Sequence, residues 1–305
     1  MIRWLVTGAG GGLGRDLVAR LRADPAARVT AAPRVALDIC DPDAVAAAVV
    51  GHDVVVNAAA WTDVDAAESA PERAAAVNGD AVAGLARACA ATGARLLHVS
   101  TDYVFSGEGA APRREDEPPA PVNAYGRSKL VGERAVARFL PEHGYVVRTA
   151  WLYTGRGDGF VGTMLRQAAA RDTLSVVDDQ RGQPTWSAAL ADQLAALGAA
   201  ARAGAAPAGT YHGTAAGQTT WYGLARAVFA EAGLDPDRVR PTTTDQFPRP
   251  ARRPSFSVLG HDRWRSAGLP AQPSWRDQLA TALLQPGLAA LARAARQGPH
   301  AGRRP

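Results

Sequence analysis

The chain has 305 residues, 47% of them hydrophobic and 21% charged, so it can fold around a substantial core. Its formal net charge of +5 lies partly near the end of the chain, and no basic run interleaved with aromatic residues indicates nucleic-acid binding. Two cysteines without CxxC spacing argue against a zinc site, and the sequence has no apolar run long enough for a membrane span, so we expect a cytoplasmic protein.

Strands and helices alternate along the first half of the chain. Residues 2–7 (IRWLVT) predict a buried strand, the glycine cluster 8–14 follows, and a helix is expected from about Arg15 to Ala23. In chain order, the pattern next predicts strands at 28–32 and 35–38, a helix at 41–50, a strand at 53–60, a helix at 71–92, a strand at 95–101, a helix at 124–140 and a strand at 144–153. Because the strands are continuous apolar runs, the sheet should be parallel and covered on both faces. The sequence therefore predicts an α/β protein with a doubly wound (Rossmann) domain at residues 1–150.

The regular alternation weakens after Tyr153. Helices are predicted at 160–172, 188–203 and 221–233, and SVVDDQ (175–180) contains a short strand. We expect a smaller, discontinuous C-terminal substrate-binding domain at 151–296, with segments near 175–215 returning to the first domain. Residues 297–305 are expected to form a disordered tail.

The glycine cluster has the spacing GxxGxxG, with Gly8, Gly11 and Gly14 as its glycines and Gly12 and Leu13 between the last two. It follows a strand and opens a helix, which lets a pyrophosphate approach backbone amides at a helix N-terminus. Leu13 breaks the tighter GxGxxG spacing, and the wider one is typical of short-chain dehydrogenases. We expect a dinucleotide site here, the alternative being a purely structural tight turn.

The choice of cofactor depends on the end of the second strand. The segment VTAAPRV has no acid there to bind the ribose hydroxyls, whereas Arg34 is placed to pair with a 2′-phosphate. This favours NADPH, with NADH as the alternative if Arg34 is only a solvated surface residue. Asp38 and Ile39 are expected to contact the adenine.

Tyr125 and Lys129 form a YxxxK motif at the start of a predicted helix, where residues four apart share one face. The pKa of a tyrosine is normally about 10, and a neighbouring ammonium would lower it toward the range useful for acid–base catalysis. Thr101 ends the strand RLLHVST and can hydrogen-bond a reacting oxygen at the carboxyl edge of the sheet. We predict Thr101, Tyr125 and Lys129 as catalytic residues, since no GxSxG elbow supports a hydrolase.

At these residues the chain resembles the dTDP-4-dehydrorhamnose reductase family of extended short-chain dehydrogenases. The matching stretches cover nearly the whole chain except the tail: TGAGGGLGRDL (7–17), VVNAAAWTDVDAAES (55–69), HVSTDYVFSG (98–107), AYGRSKLVGE (124–133), VVRTAWLYTG (146–155), VVDDQRGQPT (176–185) and FPRPARRPSFSVL (247–259). The combination of STDYVF, DDQxGxPT and RPAxRP is more specific than any single motif.

The resemblance implies reduction of the C4 keto group of a dTDP-linked 4-keto-6-deoxy sugar, with dTDP-4-dehydro-L-rhamnose as the expected substrate. Tyr125 would donate the proton, Lys129 would tune Tyr125 and hold the ribose, and Thr101 would bind the carbonyl oxygen. It further implies that Ala58, Ala59, Ala60, Trp61 and Thr62 line the cofactor, and that Thr62, Val64, Thr101, Asp102, Phe105, Tyr125 and Trp151 lie near the substrate. Arg252 or Arg253 would grip the diphosphate, because guanidinium groups match phosphate oxygens.

Some relatives bind Mg²⁺ through glutamates at a dimer interface, and the matching positions here are Asp16 and Ala188. Alanine cannot ligate a metal, so the metal and that particular homodimer are in doubt.

Two other functions stay open: a 4-ketoreductase for another dTDP-deoxysugar in antibiotic glycosylation, and a non-catalytic regulatory subunit that binds NADP. An epimerase or dehydratase would return the hydride to the sugar and consume no cofactor.

Overall fold

A computed structural model describes residues 1–298. Its strands are β1 (Ile2–Thr7), β2 (Ala27–Ala32), β3 (Val54–Asn57), β4 (Arg95–Thr101), β5 (Gly144–Thr149), β6 (Leu152–Tyr153), β7 (Leu174–Val177), β8 (Arg181–Gly182), β9 (Thr185–Trp186), β10 (Gly209–His212), β11 (Thr219–Thr220) and β12 (Val239–Thr242). Its α-helices are α1 (Gly12–Arg22), α2 (Pro42–Val49), α3 (Val64–Ser69), α4 (Pro71–Ala75), α5 (Ala81–Thr92), α6 (Ala124–Phe139), α7 (Phe160–Ala170), α8 (Ser187–Arg202), α9 (Trp221–Glu231), α10 (Asp262–Ser266), α11 (Trp275–Leu283) and α12 (Pro286–Gln297). None of these helices is both long and apolar enough to cross a membrane.

Six strands form one parallel sheet in the order β10-β5-β4-β3-β1-β2. Successive residues of a strand point to opposite faces, and both faces of this sheet are covered. Trp4 and Val6 pack with α1 and α8 on one face, whereas Leu5 packs with α2, α5 and α6 on the other. This arrangement confirms the predicted doubly wound α/β fold.

Gly198 on helix α8 packs directly against the sheet. A Cβ atom there would lie 2.3 Å from Cη2 of Trp4, so a larger residue would push the helix off the strand. A separate core collects buried residues of α7, α9, α11 and α12 around Leu165, Val228 and Leu279. The segments after residue 150 thus contribute to both cores, while the domain division proposed from the sequence stays a prediction.

Several predicted elements have different limits in the structure. Residues 35–38 form no strand, because Pro33 starts a turn in which its carbonyl accepts from the N–H groups of Ala36 and Leu37. The strand predicted at 53–60 ends at Asn57, and the one predicted at 144–153 ends at Thr149. The predicted tail lies outside the described residues except for its first two, Gln297 and Gly298.

The helix predicted at 71–92 is interrupted by a π-helical turn at Ala76–Asp80. The side chain of Asn78 in this turn accepts from the backbone N–H of Trp61 at 2.9 Å and donates to its carbonyl at 3.0 Å. The same amide donates to Ser128 Oγ on α6 at 2.9 Å. These bonds explain the interruption, since they draw one turn of the helix toward the loop after β3.

Candidate active site

Two neighbouring cavities open where the strands of the sheet end at their carboxyl edge. The first has a volume of about 860 Å³ and follows the ends of β1, β3, β4 and β5. The second, of about 850 Å³, lies between the first and the loop that contains residues 244–255. Val64, Tyr103 and Trp221 line both cavities, which therefore meet at these side chains.

The glycine turn forms one end of the first cavity. Gly8 has φ +67°, and a Cβ there would lie 2.5 Å from the backbone nitrogen of Ala59. A Cβ on Gly14 would lie 2.2 Å from the carbonyl oxygen of Gly8. Helix α1 starts after Gly11 without a side-chain cap, so its first N–H groups are available to an anion. This cradle fits the pyrophosphate of a dinucleotide.

Every residue predicted from the sequence to bind the cofactor lines the first cavity. Arg34 is 88% exposed in its side chain, and its Nη2 lies 3.9 Å from Oδ2 of Asp38, a weak surface ion pair. Strand β2 ends at Ala32 without an acidic residue. The full set is Gly8, Gly11, Gly12, Leu13, Gly14, Arg34, Asp38, Ile39, Ala58, Ala59, Ala60, Trp61, Thr62, Tyr125 and Lys129.

Helix α6 carries Tyr125 and Lys129 into the same cavity. Asn123 caps this helix by accepting from the N–H of Gly126 at 2.8 Å. A Cβ on Gly126 would lie 2.1 Å from the carbonyl oxygen of Tyr103, so the first turn packs directly against the segment after β4. Tyr125 and Lys129 of the YxxxK motif therefore lie on one helix, whose first turn is fixed by the Asn123 cap and by the segment after β4.

Thr101 lies at the end of β4, opposite the first turn of α6. Its Oγ1 accepts from the N–H of Tyr103 at 3.1 Å and donates to Oδ1 of Asp102 at 3.0 Å. Thr101 and Tyr125 both line the first cavity. The structure thus brings together the predicted carbonyl-binding and proton-donating hydroxyls.

Burial shifts the titration of the groups in this site. It raises the pKa of Asp102 to about 6, although the hydrogen bond from Thr101 lowers it. It lowers the pKa of Lys129 to about 8, although the Glu133 carboxylate raises it. Burial and the charge of Asp102 raise the pKa of Tyr125 above its usual value.

The sequence predicts that Lys129 lowers the pKa of Tyr125, whereas in the structure this pKa is raised. Lys129 Nζ donates to the carbonyl oxygen of Val99 at 2.7 Å, and its side chain is 2% exposed. The charge that acts on Tyr125 is that of the Asp102 carboxylate, which disfavours a phenolate. In this state Tyr125 is therefore a neutral phenol that can donate a proton.

The second cavity contains the two arginines predicted to grip a diphosphate. Arg253 forms a bidentate pair with Asp65, with Nη1–Oδ1 at 2.8 Å and Nη2–Oδ2 at 2.9 Å. Arg252 is exposed, and no carboxylate within residues 1–298 forms an ion pair with it. The two arginines therefore differ: Arg253 is tied to α3, and Arg252 is available to an anion.

Trp151 and Trp221 form a stacked wall beside the junction of the cavities, with ring centroids 3.6 Å apart and planes 7° from parallel. Trp151 has φ +47°, which is rare for a bulky residue and turns the chain at the end of β5. A Cβ on Gly182 would lie 2.6 Å from the Trp151 ring, so glycine leaves room for the indole. The sequence motifs indicate Trp151 but not Trp221, since nothing in the local pattern around Trp221 indicates a site.

The other predicted substrate residues fall into two groups. Thr62, Val64, Thr101, Asp102, Tyr125 and Trp151 line the first cavity. Phe105 lines neither cavity: its side chain is 1% exposed and packs with Val104, Leu130 and Leu259. It follows the short 3₁₀ turn at Asp102–Val104, and its role near the substrate stays a prediction.

Asp16 is bound to a guanidinium rather than placed for a metal. Its Oδ1 lies 2.6 Å from Nη1 of Arg156, and its Oδ2 accepts from Ser187 Oγ. Arg156 also donates to the carbonyl of Gly12 at 2.7 Å. No group of three or more metal-ligating side chains occurs within residues 1–298, and these residues do not fit a magnesium site.

Comparison with known proteins gives consistent matches. The family model described as the RmlD substrate binding domain matches residues 2–286. A dTDP-4-dehydrorhamnose reductase of Streptomyces griseus is 57% identical, covering 91% of each chain, and a dTDP-4-keto-6-deoxy-D-glucose reductase of Streptomyces niveus is 48% identical, covering 92% of this chain and 96% of its own. The crystal structure of dTDP-4-dehydrorhamnose reductase from Bacillus anthracis in complex with NADP superposes with a TM-score of 0.86 at 33% identity, covering 93% of this chain and 99% of that one.

A doubly wound sheet with a glycine cradle and a Thr–Tyr–Lys set at its carboxyl edge defines a nicotinamide-dependent short-chain dehydrogenase or reductase. Within that class, the chain belongs to the dTDP-4-dehydrorhamnose reductase family. It is an oxidoreductase, as the sequence motifs predicted.

Proposed function

We propose that the chain uses NADPH to reduce the C4 keto group of dTDP-4-dehydro-L-rhamnose to the alcohol of dTDP-L-rhamnose. The observation that carries this proposal is that Thr101 and Tyr125 lie together on the wall of the first cavity, next to its junction with the second. A cofactor in one cavity and a nucleotide sugar in the other would meet at these hydroxyls. The name and 57% identity of the Streptomyces griseus relative support the choice of sugar.

In this mechanism, bound NADPH supplies the hydride that reduces the keto carbon. When substrate binds, the Thr101 hydroxyl turns its hydrogen from Asp102 Oδ1 to the carbonyl oxygen and so stabilises the charge that develops there. Tyr125, a neutral phenol with a raised pKa, transfers its proton to this oxygen and completes the alcohol. Lys129, whose pKa of about 8 lies near neutrality, then returns a proton toward the phenolate.

Arg34 supports NADPH over NADH. Its exposed guanidinium lies at the rim of the first cavity, beyond the end of β2. An acidic residue at this position would repel a 2′-phosphate, and β2 ends without one. The relative from Bacillus anthracis was crystallised with NADP. We therefore assign the 2′-phosphate to Arg34 and the pyrophosphate to the glycine turn.

The second cavity would receive the dTDP part of the substrate. Arg252 provides a cation at its wall, while Arg253 and Asp65 fix the loop that carries it. The sugar would extend past the Trp151–Trp221 wall toward Tyr125. Asp102, Thr62 and Val64 complete the surface near it. A cytoplasmic location and a homodimer remain predictions.

The proposal is tested by following NADPH oxidation with purified protein and dTDP-4-dehydro-L-rhamnose, with NADH in parallel. We expect dTDP-L-rhamnose as the product and a higher kcat/KM with NADPH. The variant Tyr125→Phe should lose at least about two orders of magnitude in kcat, because it removes the proton donor. Near-normal turnover by this variant would refute the assignment of Tyr125.

The same assay includes a second substrate, because the Streptomyces niveus relative is named for dTDP-4-keto-6-deoxy-D-glucose. A much higher kcat/KM for that sugar would replace the proposed substrate while keeping the chemistry. Binding of NADPH without turnover of either sugar would favour the regulatory-subunit hypothesis.

A further inference from the structure

A buried chain of polar side chains runs from Lys129 across the sheet, away from the cavity. Lys129 Nζ lies 3.4 Å from Nε2 of His98, and His98 Nδ1 lies 3.1 Å from Nδ2 of Asn57. Asn57 Oδ1 lies 2.7 Å from Thr7 Oγ1. Thr7, Asn57 and His98 are each 0% exposed, so these groups are satisfied only by each other and the nearby backbone.

The backbone N–H of Ala59 fixes which way the Asn57 amide faces. This N–H lies 3.2 Å from Asn57 Oδ1 and can only donate, so the atom facing it must be the acceptor oxygen. The Thr7 hydroxyl can donate or accept and does not decide the orientation. The Asn57 NH₂ group must therefore point at His98.

This orientation decides the tautomer of His98. An amide NH₂ group only donates, so His98 Nδ1 must accept and carries no proton. A neutral imidazole then has its proton on Nε2, the nitrogen that faces Lys129. Burial and the charge of Lys129 lower the pKa of His98 well below its usual value, which favours the neutral ring.

We propose that Asn57, oriented by Ala59, fixes His98 as its Nε2–H tautomer, and that this N–H donates to the amine lone pair of Lys129 when Lys129 gives up its proton. An ammonium has no lone pair, so it gains nothing from this donor and lies against it at 3.4 Å. The neutral amine gains a hydrogen bond. Asn57 and His98 are positioning residues that favour proton release by Lys129, and this role rests on the function proposed above.

Other charged and titratable groups lie around Lys129. Glu133 on the same helix acts on it, and Arg148 of β5 binds Glu133. Tyr125 and Asp102 line the same cavity as Lys129. Glu133 favours the ammonium, whereas burial disfavours it and brings the pKa of Lys129 to about 8. His98 acts in the same direction as burial, and together they balance Glu133 so that Lys129 can return a proton to Tyr125 near neutral pH.

The first test is nitrogen NMR of the intact protein labelled with ¹⁵N-histidine, in the absence of substrate. The chain has six histidines, and the spectrum of His98→Gln identifies the signal of His98. We expect a neutral Nε2–H ring with no titration between about pH 5 and 9. An Nδ1–H tautomer or an imidazolium at neutral pH would overturn the proposal. Because this measurement needs no turnover, it is independent of whether the proposed substrate is correct.

The second test is Asn57→Asp, which keeps acceptors for Ala59 and Thr7 but removes the NH₂ group. The carboxylate should draw the His98 proton to Nδ1, leaving Nε2 as an acceptor for the Lys129 ammonium. We expect the tautomer to switch and the basic limb of the kcat–pH profile to move up by roughly one unit. The negative charge that this substitution adds would by itself also move the basic limb to higher pH, so the pH profile alone does not decide. The tautomer of His98 decides: an unchanged Nε2–H ring would refute the proposal.

Thr7→Val is the matched control. It removes the hydroxyl that also contacts Asn57 Oδ1 but leaves the deciding N–H of Ala59 in place. The His98 tautomer and the basic limb should match those of the wild type. A tautomer switch in this variant would show that Ala59 does not fix the amide and would overturn the assignment.

Discussion

Removing the negative charge of Glu133 should destabilise the fold and alter the titration of Lys129. Glu133 is buried between α6 and the sheet, where its Oε2 lies 2.7 Å from Arg148 Nη2 and its Oε1 accepts from Ser100 Oγ at 2.6 Å. The side chains of the two charged residues are only 6% and 4% exposed. The variant Glu133→Gln keeps an oxygen for Ser100 and isolates the loss of charge.

The magnitude follows from burial. Breaking a buried ion pair by removing one partner typically costs about 3–5 kcal/mol, since the other charge stays uncompensated. For a chain of this size each kcal/mol lowers Tm by roughly 2 °C, so Tm should fall by roughly 6–10 °C. The carboxylate also raises the pKa of Lys129, so its removal should lower that pKa further below about 8.

Urea unfolding followed by tryptophan fluorescence and thermal unfolding measure the first effect, and the kcat–pH profile measures the second. The basic limb should move toward lower pH. The matched control is Asp192→Asn, which breaks the exposed pair between Arg20 and Asp192 and should cost less than about 1 kcal/mol. The double variant Glu133→Gln/Arg148→Met should recover part of the stability, because it also removes the uncompensated guanidinium of Arg148. Equal stability of Glu133→Gln and Asp192→Asn would refute the reasoning.

Three further outcomes are expected. Arg34→Ala should raise the KM for NADPH by about tenfold, because it removes a charge-assisted bond to the 2′-phosphate, and should leave the KM for NADH unchanged. An equal rise in both KM values would contradict the assignment of Arg34. Arg252→Ala should raise the KM for the nucleotide sugar by about tenfold, while Arg253→Ala should mainly lower Tm; the reverse pattern would exchange their roles. EDTA should leave kcat unchanged, because Arg156 binds the carboxylate of Asp16, and recovery of a lost rate by Mg²⁺ would show otherwise.

The sequence predicts the parts of the site that depend on local spacing. The glycine turn and the YxxxK motif are each contained in a few residues whose backbone geometry follows from residue type. Their position at the carboxyl edge follows from the strand–helix alternation. For this reason the cofactor residues lie around one cavity, and the fold class is confirmed.

The features that the sequence did not predict depend on contacts between distant segments. Asp65 and Arg253 are 188 residues apart, and their pairing decides which of two adjacent arginines is available. Phe105 belongs to a motif whose neighbours line the cavity, but the direction of its side chain is set by a turn. Strand β10 was not predicted, because its four residues, ending at His212, are too few and too polar to stand out in the sequence.

Tyr103 lies at the junction of the two cavities and holds Thr101 and Tyr125 close to it. Its backbone N–H binds Thr101, its carbonyl lies against Gly126 at the start of α6, and its ring meets that of Tyr125 edge-on with centroids 6.0 Å apart. A side chain at position 126 would force α6 away from β4 and separate Thr101 from Tyr125. The close approach of one turn and one helix thus sets the relative position of the two hydroxyls to which we assign the proton transfer.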